Sequence, residues 1–271
     1  MITFTVLTLF PEMFAPLDES IIKRAQEAGL VKIRLVNFRD YAVSKHKNVD
    51  DTPYGGGAGM VLKPEPVFAA IRGLPQTPGK RKVVLLSPQG QVFNQTTAKK
   101  WSKETELIFI CGHYEGFDER IRELADEEAS LGDYVLTGGE LAAMVMIDAV
   151  ARLIPGVLGE DLSSEDDSHS SLLLEYPQYT RPVDFEGRLV PDVLLSGHHA
   201  NIKRWRRKES LRRTFLRRPD LFAELVFEAD DFLLLEELIV EHPDMALWRE
   251  KWEHLRPRSK RGRRAANCSK S

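Results

Sequence analysis

Two apolar runs, each followed by a glycine-containing turn, constrain the fold of this chain more than any other feature. Leu107–Cys111 leads into Gly112, and Tyr134–Leu136 leads into Gly138 and Gly139. Short apolar runs that end in this way are typical of buried parallel strands. Because open α/β sheets bind ligands at the carboxyl ends of their strands, the turns predict a ligand site. Two tight turns without a ligand are the alternative.

The segments upstream predict an α/β fold with a mostly parallel sheet. Ile2–Leu9 and Val31–Asn37 are predicted strands on either side of the predicted helix Ser20–Ala28, and this spacing indicates parallel pairing through a crossover. Val83–Leu86 is a further predicted strand, and it ends in the turn Ser87–Gly90. Three turns therefore meet at one edge of the predicted sheet, which favours a binding site.

Two predicted helices accompany the turns. Phe117–Ala129 carries its apolar residues on one stripe. Glu140–Leu153 is apolar nearly all round, so it is expected in the core or in a subunit interface. Asp148 and Arg152, four residues apart on this second helix, are placed to form an ion pair.

Residues 53–60 form a glycine-rich loop that is a candidate for ligand binding. The loop matches neither of the two standard phosphate-binding motifs. Four glycines fall within Gly55–Gly59, a density that excludes the interior of a helix or strand. The loop lacks the third glycine of the dinucleotide fingerprint, and no Gly-Lys-Ser/Thr follows as in a Walker loop. A mobile loop without a ligand is an equally good interpretation of these residues alone.

Composition excludes several classes of protein. The chain has 271 residues, 42% of them hydrophobic, and no apolar run approaches the roughly 18 residues of a membrane span. The amino terminus lacks the basic segment of a signal peptide. Cys111 and Cys268 lie far apart and fit neither a disulfide framework nor a zinc motif. We therefore expect a cytoplasmic protein without a metal site.

Basic residues concentrate in the second half of the chain. Residues 203–218 contain nine Lys or Arg and one acidic residue, and residues 256–264 add six basic residues and no acidic one. The predicted helix Ala200–Phe215 carries most of the first group. This asymmetry indicates a polyanionic partner, with a solvated basic face as the alternative.

These features predict four parts of the chain. Residues 1–158 form an α/β domain, and the serine-rich acidic segment 159–174 is a flexible linker. Residues 175–255 form a small all-α basic domain, and 256–271 are a disordered basic tail. An enzyme that binds a small molecule on the sheet and a nucleic acid on the helices fits this arrangement. A nicotinamide or flavin oxidoreductase and an RNA-binding module without chemistry are the rival interpretations.

Six motifs closely resemble those of bacterial tRNA (guanine-N1-)-methyltransferases, which belong to the SPOUT class: Tyr54–Met60, Leu86–Gly90, Ile110–Gly116, Gly132–Glu140, Ile154–Leu158 and Leu194–His198. The resemblance covers residues 1 to about 250. It implies a trefoil-knotted sheet domain and a homodimer with the active site at the subunit interface. It also implies that S-adenosylmethionine is the methyl donor, and that N1 of the guanosine at tRNA position 37, 3′ to the anticodon, is methylated.

The resemblance also implies roles for individual residues. A methyl-donor site is implied for Ser87, Pro88, Gly112, Tyr114, Glu115, Leu131, Gly132, Asp133, Tyr134, Val135, Leu136, Gly138 and Gly139. Contacts with the tRNA substrate are implied for Tyr54, Gly57, Gly59, Ser163, His198, Arg204, Arg207 and Arg213.

Two residues carry the implied catalysis. Methylating N1 of guanine requires removal of its proton, and the family pattern assigns the general base to Asp167. An exposed aspartate, with a pKa near ~3.9, is a poor base for that proton, so we expect the linker to order and desolvate it when both substrates bind. Arg152 is implied to stabilise negative charge on the guanine O6. Asp166 is the rival base, and an ion pair with Asp148 is the rival role of Arg152.

Two positions depart from the family pattern. His113 stands where some relatives carry arginine, and His169 follows Ser168 where an aromatic residue is frequent. We interpret His113 as a tolerated variant rather than a catalytic group.

Overall fold

The computed structural model describes residues 1–158, 168 and 172–249. The chain divides into two compact units, Met1–Ser164 and Glu165–Ser271. Asp166, Asp167, Ser163, His169 and the tail 256–271 lie outside the described residues, so the predictions made for them stay predictions, as do the predicted domain boundaries. Within the described part of the chain, no helix is long and apolar enough to cross a membrane.

The first unit is built on a five-stranded sheet in which every pairing is parallel. The strand order is β2-β1-β6-β5-β7, and a separate antiparallel pair is formed by β3 and β4. The strands are β1 Ile2–Thr8, β2 Val31–Asn37, β3 Asp50–Asp51, β4 Val61–Leu62, β5 Arg81–Val92, β6 Glu106–Ile110 and β7 Glu127–Ser130. The predicted α/β class with a mostly parallel sheet is confirmed.

Helices cover both faces of this sheet. They are α1 Ser20–Glu27, α2 Pro64–Gly73, α3 Gln95–Trp101 and α4 Glu140–Ala151, with 3-10 helices at Pro11–Asp18, Phe38–Tyr41 and Glu119–Leu124. Successive side chains of a strand point to opposite faces, so β6 contributes Phe109 to one apolar cluster and Ile110 to the other. The first cluster includes residues of α1, α3 and α4, and the second includes residues of α2. Burial on both faces explains why the strands are continuously apolar.

The segment between the two glycine turns differs from the prediction. Phe117–Ala129 is not a helix, because a 3-10 helix at Glu119–Leu124 is followed by the strand β7. The Asp126 carboxylate accepts a hydrogen bond from the amide of Val83 at 2.7 Å, which draws the chain onto the edge of β5. Tertiary pairing thus overrides a local helical pattern.

Two further predictions about this region were wrong. Tyr134–Leu136 is not a strand: it lies in the loop after β7, and Val135 is 81% exposed. Ser87–Gly90 does not end its strand, because β5 continues to Val92 with a shift in its pairing with β7 between Leu86 and Gln91.

The second unit is mainly helical. It contains α5 Asp192–Leu195, α6 His199–Arg217, α7 Pro219–Ala223, α8 Asp231–Glu241 and a 3-10 helix at Pro243–Trp248. Its apolar cluster includes Leu211 and Phe215 of α6, Phe222 of α7 and Leu235 of α8. It also holds a short hairpin of β8 Asp184–Phe185 and β9 Arg188–Leu189, which the prediction of an all-α domain did not include.

Gly90 lies where the backbones of β5 and β7 approach closely. A Cβ atom on Gly90 would lie 2.5 Å from the amide nitrogen of Ala129 and 2.6 Å from the carbonyl carbon of Glu128. We expect Gly90→Ala to lower the free energy of unfolding by about 2–3 kcal/mol, because one backbone must move to admit the methyl group. Urea denaturation of the two proteins measures this loss.

Gly29→Ala is the matched control for this substitution. Gly29 has φ +69° but no atom within 4 Å of an added Cβ, so that change tests backbone strain alone and is expected to remove about 1 kcal/mol. A loss at Gly90 no greater than the loss at Gly29 would contradict the close approach.

Candidate functional site

A cavity of about 430 Å³ lies at the carboxyl edge of the parallel sheet, where β6 and β7 lead into loops beside the irregular part of β5. Its walls are the 86–89 stretch of β5, the loop that follows β6, and the 129–139 segment that joins β7 to α4. This is the edge at which open α/β sheets bind ligands. Three chain segments converge here, as predicted. One of them, Ser87–Gly90, is an irregular part of β5 and not a turn at the end of a strand.

The structure brings most of the predicted donor-binding residues together. All but two of them line the cavity: Ser87, Pro88, Gly112, Tyr114, Glu115, Leu131, Tyr134, Val135, Leu136, Gly138 and Gly139. Gly132 and Asp133 lie in the same loop but are not among the lining residues; the amide of Gly132 donates to Ser130 Oγ at 3.2 Å. The binding roles themselves stay predictions.

Sequence reasoning missed several lining residues, among them Glu119 and Arg122. Arg122 Nε donates to Glu119 at 2.9 Å, and its guanidinium also pairs with Glu128 of β7. The hydrogen bond to Glu128 is the main reason that the pKa of Arg122 is raised. These contacts fasten the 3-10 helix to β7, and the incorrect helix assignment for this segment concealed them.

The predicted glycine loop packs against the loop that follows β6. The amide of Glu115 donates to the carbonyl of Met60 at 3.0 Å, and the amide of Leu62 donates to the carbonyl of Gly116 at 2.9 Å. A Cβ atom on Gly59 would lie 2.3 Å from the Glu115 side chain, so the glycine permits this approach. Gly59 is thereby placed beside a cavity residue, whereas Tyr54 is fully exposed.

The loop after β6 is also joined to the start of α4. The amide of Gly139 donates to the carbonyl of Gly112 at 3.0 Å, and His113 forms an antiparallel bridge with Gly138. His113 Nε2 lies 2.8 Å from Glu140 Oε2. Two walls of the cavity are therefore linked by backbone and side-chain hydrogen bonds.

The two predicted catalytic residues are placed differently by the structure. Arg152 is exposed at the carboxyl end of α4, and its amide donates to the carbonyl of Asp148 at 3.2 Å. Asp167 lies outside the described residues. Within the residues that the structure does describe, no group of three or more His, Cys, Asp or Glu side chains is arranged to hold a metal ion.

Two of the three predicted tRNA-binding arginines of α6 make ion pairs within the second unit, and the third donates a hydrogen bond to a backbone carbonyl. Arg207 donates to both oxygens of Asp231, at 2.8 and 2.7 Å, and this hydrogen bonding raises the pKa of Arg207. Arg204 pairs with Glu237 in the same way. Arg213 donates to the carbonyl of Glu175 at 3.4 Å.

His198 is exposed immediately before α6. Its side chain, like that of Tyr54 in the first unit, is therefore accessible to a large ligand. The substrate-binding roles predicted for both residues stay predictions.

The chain is an α/β protein with a cavity of small-molecule size at the carboxyl edge of its sheet, which is where enzymes of this class typically bind their ligands. The family model described as tRNA (Guanine-1)-methyltransferase TrmD matches residues 2–224. The chain belongs to this family, and the resemblance of the six motifs is confirmed.

Curated relatives agree with this assignment over almost their whole length. A protein of Desulfitobacterium hafniense named tRNA (guanine-N(1)-)-methyltransferase is 74% identical over 260 residues, which cover 96% of this chain and 99% of that one. Proteins of the same name from Dehalococcoides mccartyi and Geobacillus kaustophilus are 62% and 63% identical, over 87% and 81% of this chain and 96% and 91% of their own.

Cys111 gives a direct test of how tightly the end of β6 is packed. It is fully buried, and burial, followed by the nearby Glu140 carboxylate, raises the pKa of its thiol well above the ordinary value. We expect Cys111 to resist a disulfide-exchange reagent at pH 8 in the native protein and to react once the protein is unfolded. A Cys268→Ser variant isolates its signal, and rapid reaction of that native variant would contradict the burial.

Proposed function

We propose that this chain transfers the methyl group of S-adenosylmethionine to N1 of the guanosine at position 37 of tRNA, 3′ to the anticodon. The observation that carries the proposal is the cavity at the sheet edge, whose walls contain the residues that the family resemblance assigns to the donor. Membership of the tRNA (guanine-1)-methyltransferase family and the names of the curated relatives support the reaction.

The cavity fits a donor of this kind. Its volume of about 430 Å³ lies within the range of small-molecule sites. Backbone groups around Gly112 and Gly138 border it and are available to an adenine edge. The carboxylate of Glu115 borders it too and favours a positively charged ligand. S-adenosylmethionine supplies an electrophilic methyl group when bound.

The chain's own residues provide the acid–base chemistry. Asp167 removes the proton from N1 of guanine, which creates the nucleophile. Arg152, exposed at the end of α4, stabilises the negative charge that develops on the guanine O6. The Asp167 carboxylate thus accepts the proton, and the Arg152 guanidinium stabilises the negative charge that remains on the base once the proton has left.

A homodimer with its active site at the subunit interface is part of the proposal. Helix α4 is largely buried, yet Leu141 and Val145 are 47% and 48% exposed on it. Large apolar side chains exposed together on a core helix suit a subunit interface.

The proposal also includes the trefoil knot of the SPOUT class and a cytoplasmic location, where tRNA is found. The close approach of Gly90 to β7 is compatible with such a threaded crossing.

We propose that the second unit binds tRNA through those basic residues of α6 that form no ion pair with acidic residues of the same unit. Among the described residues, Lys203 and Arg217 are exposed and take part in no ion pair, while Arg204 and Arg207 do. Asp231 is almost fully buried, so Arg207 is needed to compensate its charge and is better suited to a structural role. Lys203 and Arg217 remain available for phosphate groups.

The choice of base is tested by single-turnover methyl transfer from labelled S-adenosylmethionine to unmodified tRNA. We expect Asp167→Ala to reduce the rate by at least about 100-fold, because general-base catalysis contributes factors of that order, while donor binding survives. Asp166→Ala is the matched control and should retain most of the activity. Loss of activity in Asp166→Ala instead would move the base by one residue, and a wild type that binds tRNA without transfer would refute the proposed function.

The assignment of phosphate contacts is tested by two adjacent variants. We expect Lys203→Ala to weaken tRNA binding several-fold and to reduce the slope of log K against log salt by roughly 0.7–0.9, the value for one lost phosphate contact. Arg204→Ala, next to it on α6, should change the slope much less because Glu237 already neutralises that charge. Filter binding at several salt concentrations measures both, and equal slopes for the two variants would contradict the assignment.

A further inference from the structure

A chain of side-chain hydrogen bonds connects the donor cavity to the end of β1. His113 Nε2 lies 2.8 Å from Glu140 Oε2, and the other carboxylate oxygen accepts from Thr8 Oγ1 at 2.6 Å. Thr8 Oγ1 in turn accepts from the amide of Phe10 at 2.9 Å. The chain therefore passes from the cavity wall, through the first residue of α4, to the loop that follows β1.

The burial of Glu140 explains why its side chain needs these hydrogen-bond partners. Its residue is 1% exposed, and a buried carboxylate is unfavourable unless hydrogen bonds or a cation compensate its charge. Its position in the first turn of α4 supplies part of that compensation. His113 Nε2 lies within hydrogen-bond distance of Glu140 Oε2 and supplies a directed partner for this buried side chain.

His113 also sits where two cavity walls meet. Its ring lies 4.8 Å from that of Phe10, centroid to centroid, and its backbone bridges to Gly138. A Cβ atom on Gly138 would lie 2.3 Å from His113 Cε1, so the imidazole packs directly over this glycine. Displacing the imidazole would therefore disturb both the loop after β6 and the turn before α4.

The residue that follows His113 requires such support. Tyr114 has φ +60°, a left-handed conformation that is unfavourable for a residue with a side chain. Strained residues keep this geometry only where the surrounding contacts hold them. Tyr114 and Glu115 both border the cavity, so the anchor at His113 determines where the wall formed by the loop after β6 lies.

We propose that His113 is a positioning residue of the methyl-donor site, which acts through Glu140 to hold the loop carrying Tyr114 and Glu115 in its binding geometry. The inference rests on the proposed function, because it takes the cavity to be the donor site. It assigns a role to a residue that the motif comparison alone treats as a tolerated variant.

Loss of the imidazole should affect donor binding more than turnover. Hydrogen bonds to charged groups contribute about 1.5–3 kcal/mol, so His113→Ala is expected to raise the Kd for S-adenosylmethionine by roughly 10- to 100-fold. The KM for the donor should rise in parallel, while kcat at saturating donor and the KM for tRNA stay within about threefold of wild type. His113→Arg keeps a hydrogen-bond donor for Glu140 and should restore most of the affinity.

Calorimetric titration of the full chain with S-adenosylmethionine, together with steady-state methyl transfer, tests this role. His46→Ala is the matched control, since His46 is exposed in the loop after Tyr41, and it should leave all constants unchanged. The variant Glu140→Gln tests whether His113 acts through the Glu140 carboxylate or by contacting the donor directly. It should also weaken donor binding, and the double variant His113→Ala/Glu140→Gln should bind the donor about as weakly as the weaker of the two single variants, clearly short of the sum of their effects.

Specific outcomes would overturn the inference. A donor Kd in His113→Ala equal to that of wild type would refute it, as would an unaltered Kd in Glu140→Gln, which also serves if His113→Ala does not fold. Equal weakness of the Ala and Arg variants would refute the role of the hydrogen bond. A wild type that fails to bind S-adenosylmethionine would instead refute the proposed donor site, so the two failures are distinguishable.

Discussion

The pairing of β7 with β5 is the interaction on which the cavity depends, because the loop that closes the cavity starts from β7. The Asp126 carboxylate accepts from a β5 amide at 2.7 Å, and Glu127 accepts from Trp101 and Lys82 at 2.9 Å each. Burial acts to raise the pKa of Glu127, but hydrogen bonds from Lys100, Lys82 and Trp101 outweigh it and hold the pKa at about 2. The carboxylate is therefore charged at neutral pH, and its hydrogen bonds to α3 and β5 help to fasten the edge strand.

This attachment determines how the other walls are placed. Once β7 is paired, residues 131–139 must return over the end of β6, where the Gly139 amide meets the Gly112 carbonyl. A Cβ atom on Gly139 would lie 2.8 Å from the Cα of Cys111, so only glycine allows the return. The walls of the cavity are in this way held in place by contacts within the chain itself. The anchor between His113 and Glu140 completes the same arrangement from the side of β1.

The sequence predicted the parts of the fold that depend on local patterns. Alternating apolar residues predicted β1, and a continuous apolar run predicted β6. β7 was missed because Glu127 and Glu128 suit a helix, and only the tertiary contacts with Trp101 and Lys82 make it a strand. The residues of the cavity loops were identified through family motifs. The contacts of Arg122 were missed because its segment was assigned to a helix, and the Glu140 connection was missed because its partners, Thr8 and His113, are distant in sequence.

The charge of the basic helix α6 likewise could not be predicted from its own sequence, because it depends on contacts with other elements. Counting nine cations on residues 203–218 predicts a strongly positive surface, but the charge of a helix depends on what packs against it. Helix α8 presents Asp231, Glu237 and Glu241 to α6, where they pair with Arg207, Arg204 and Lys208. These pairs bind the two helices to each other and neutralise those cations, so they weaken the positive field of α6. Affinity for a polyanion then depends on the few basic residues without such partners, and the composition of α6 alone overstates it.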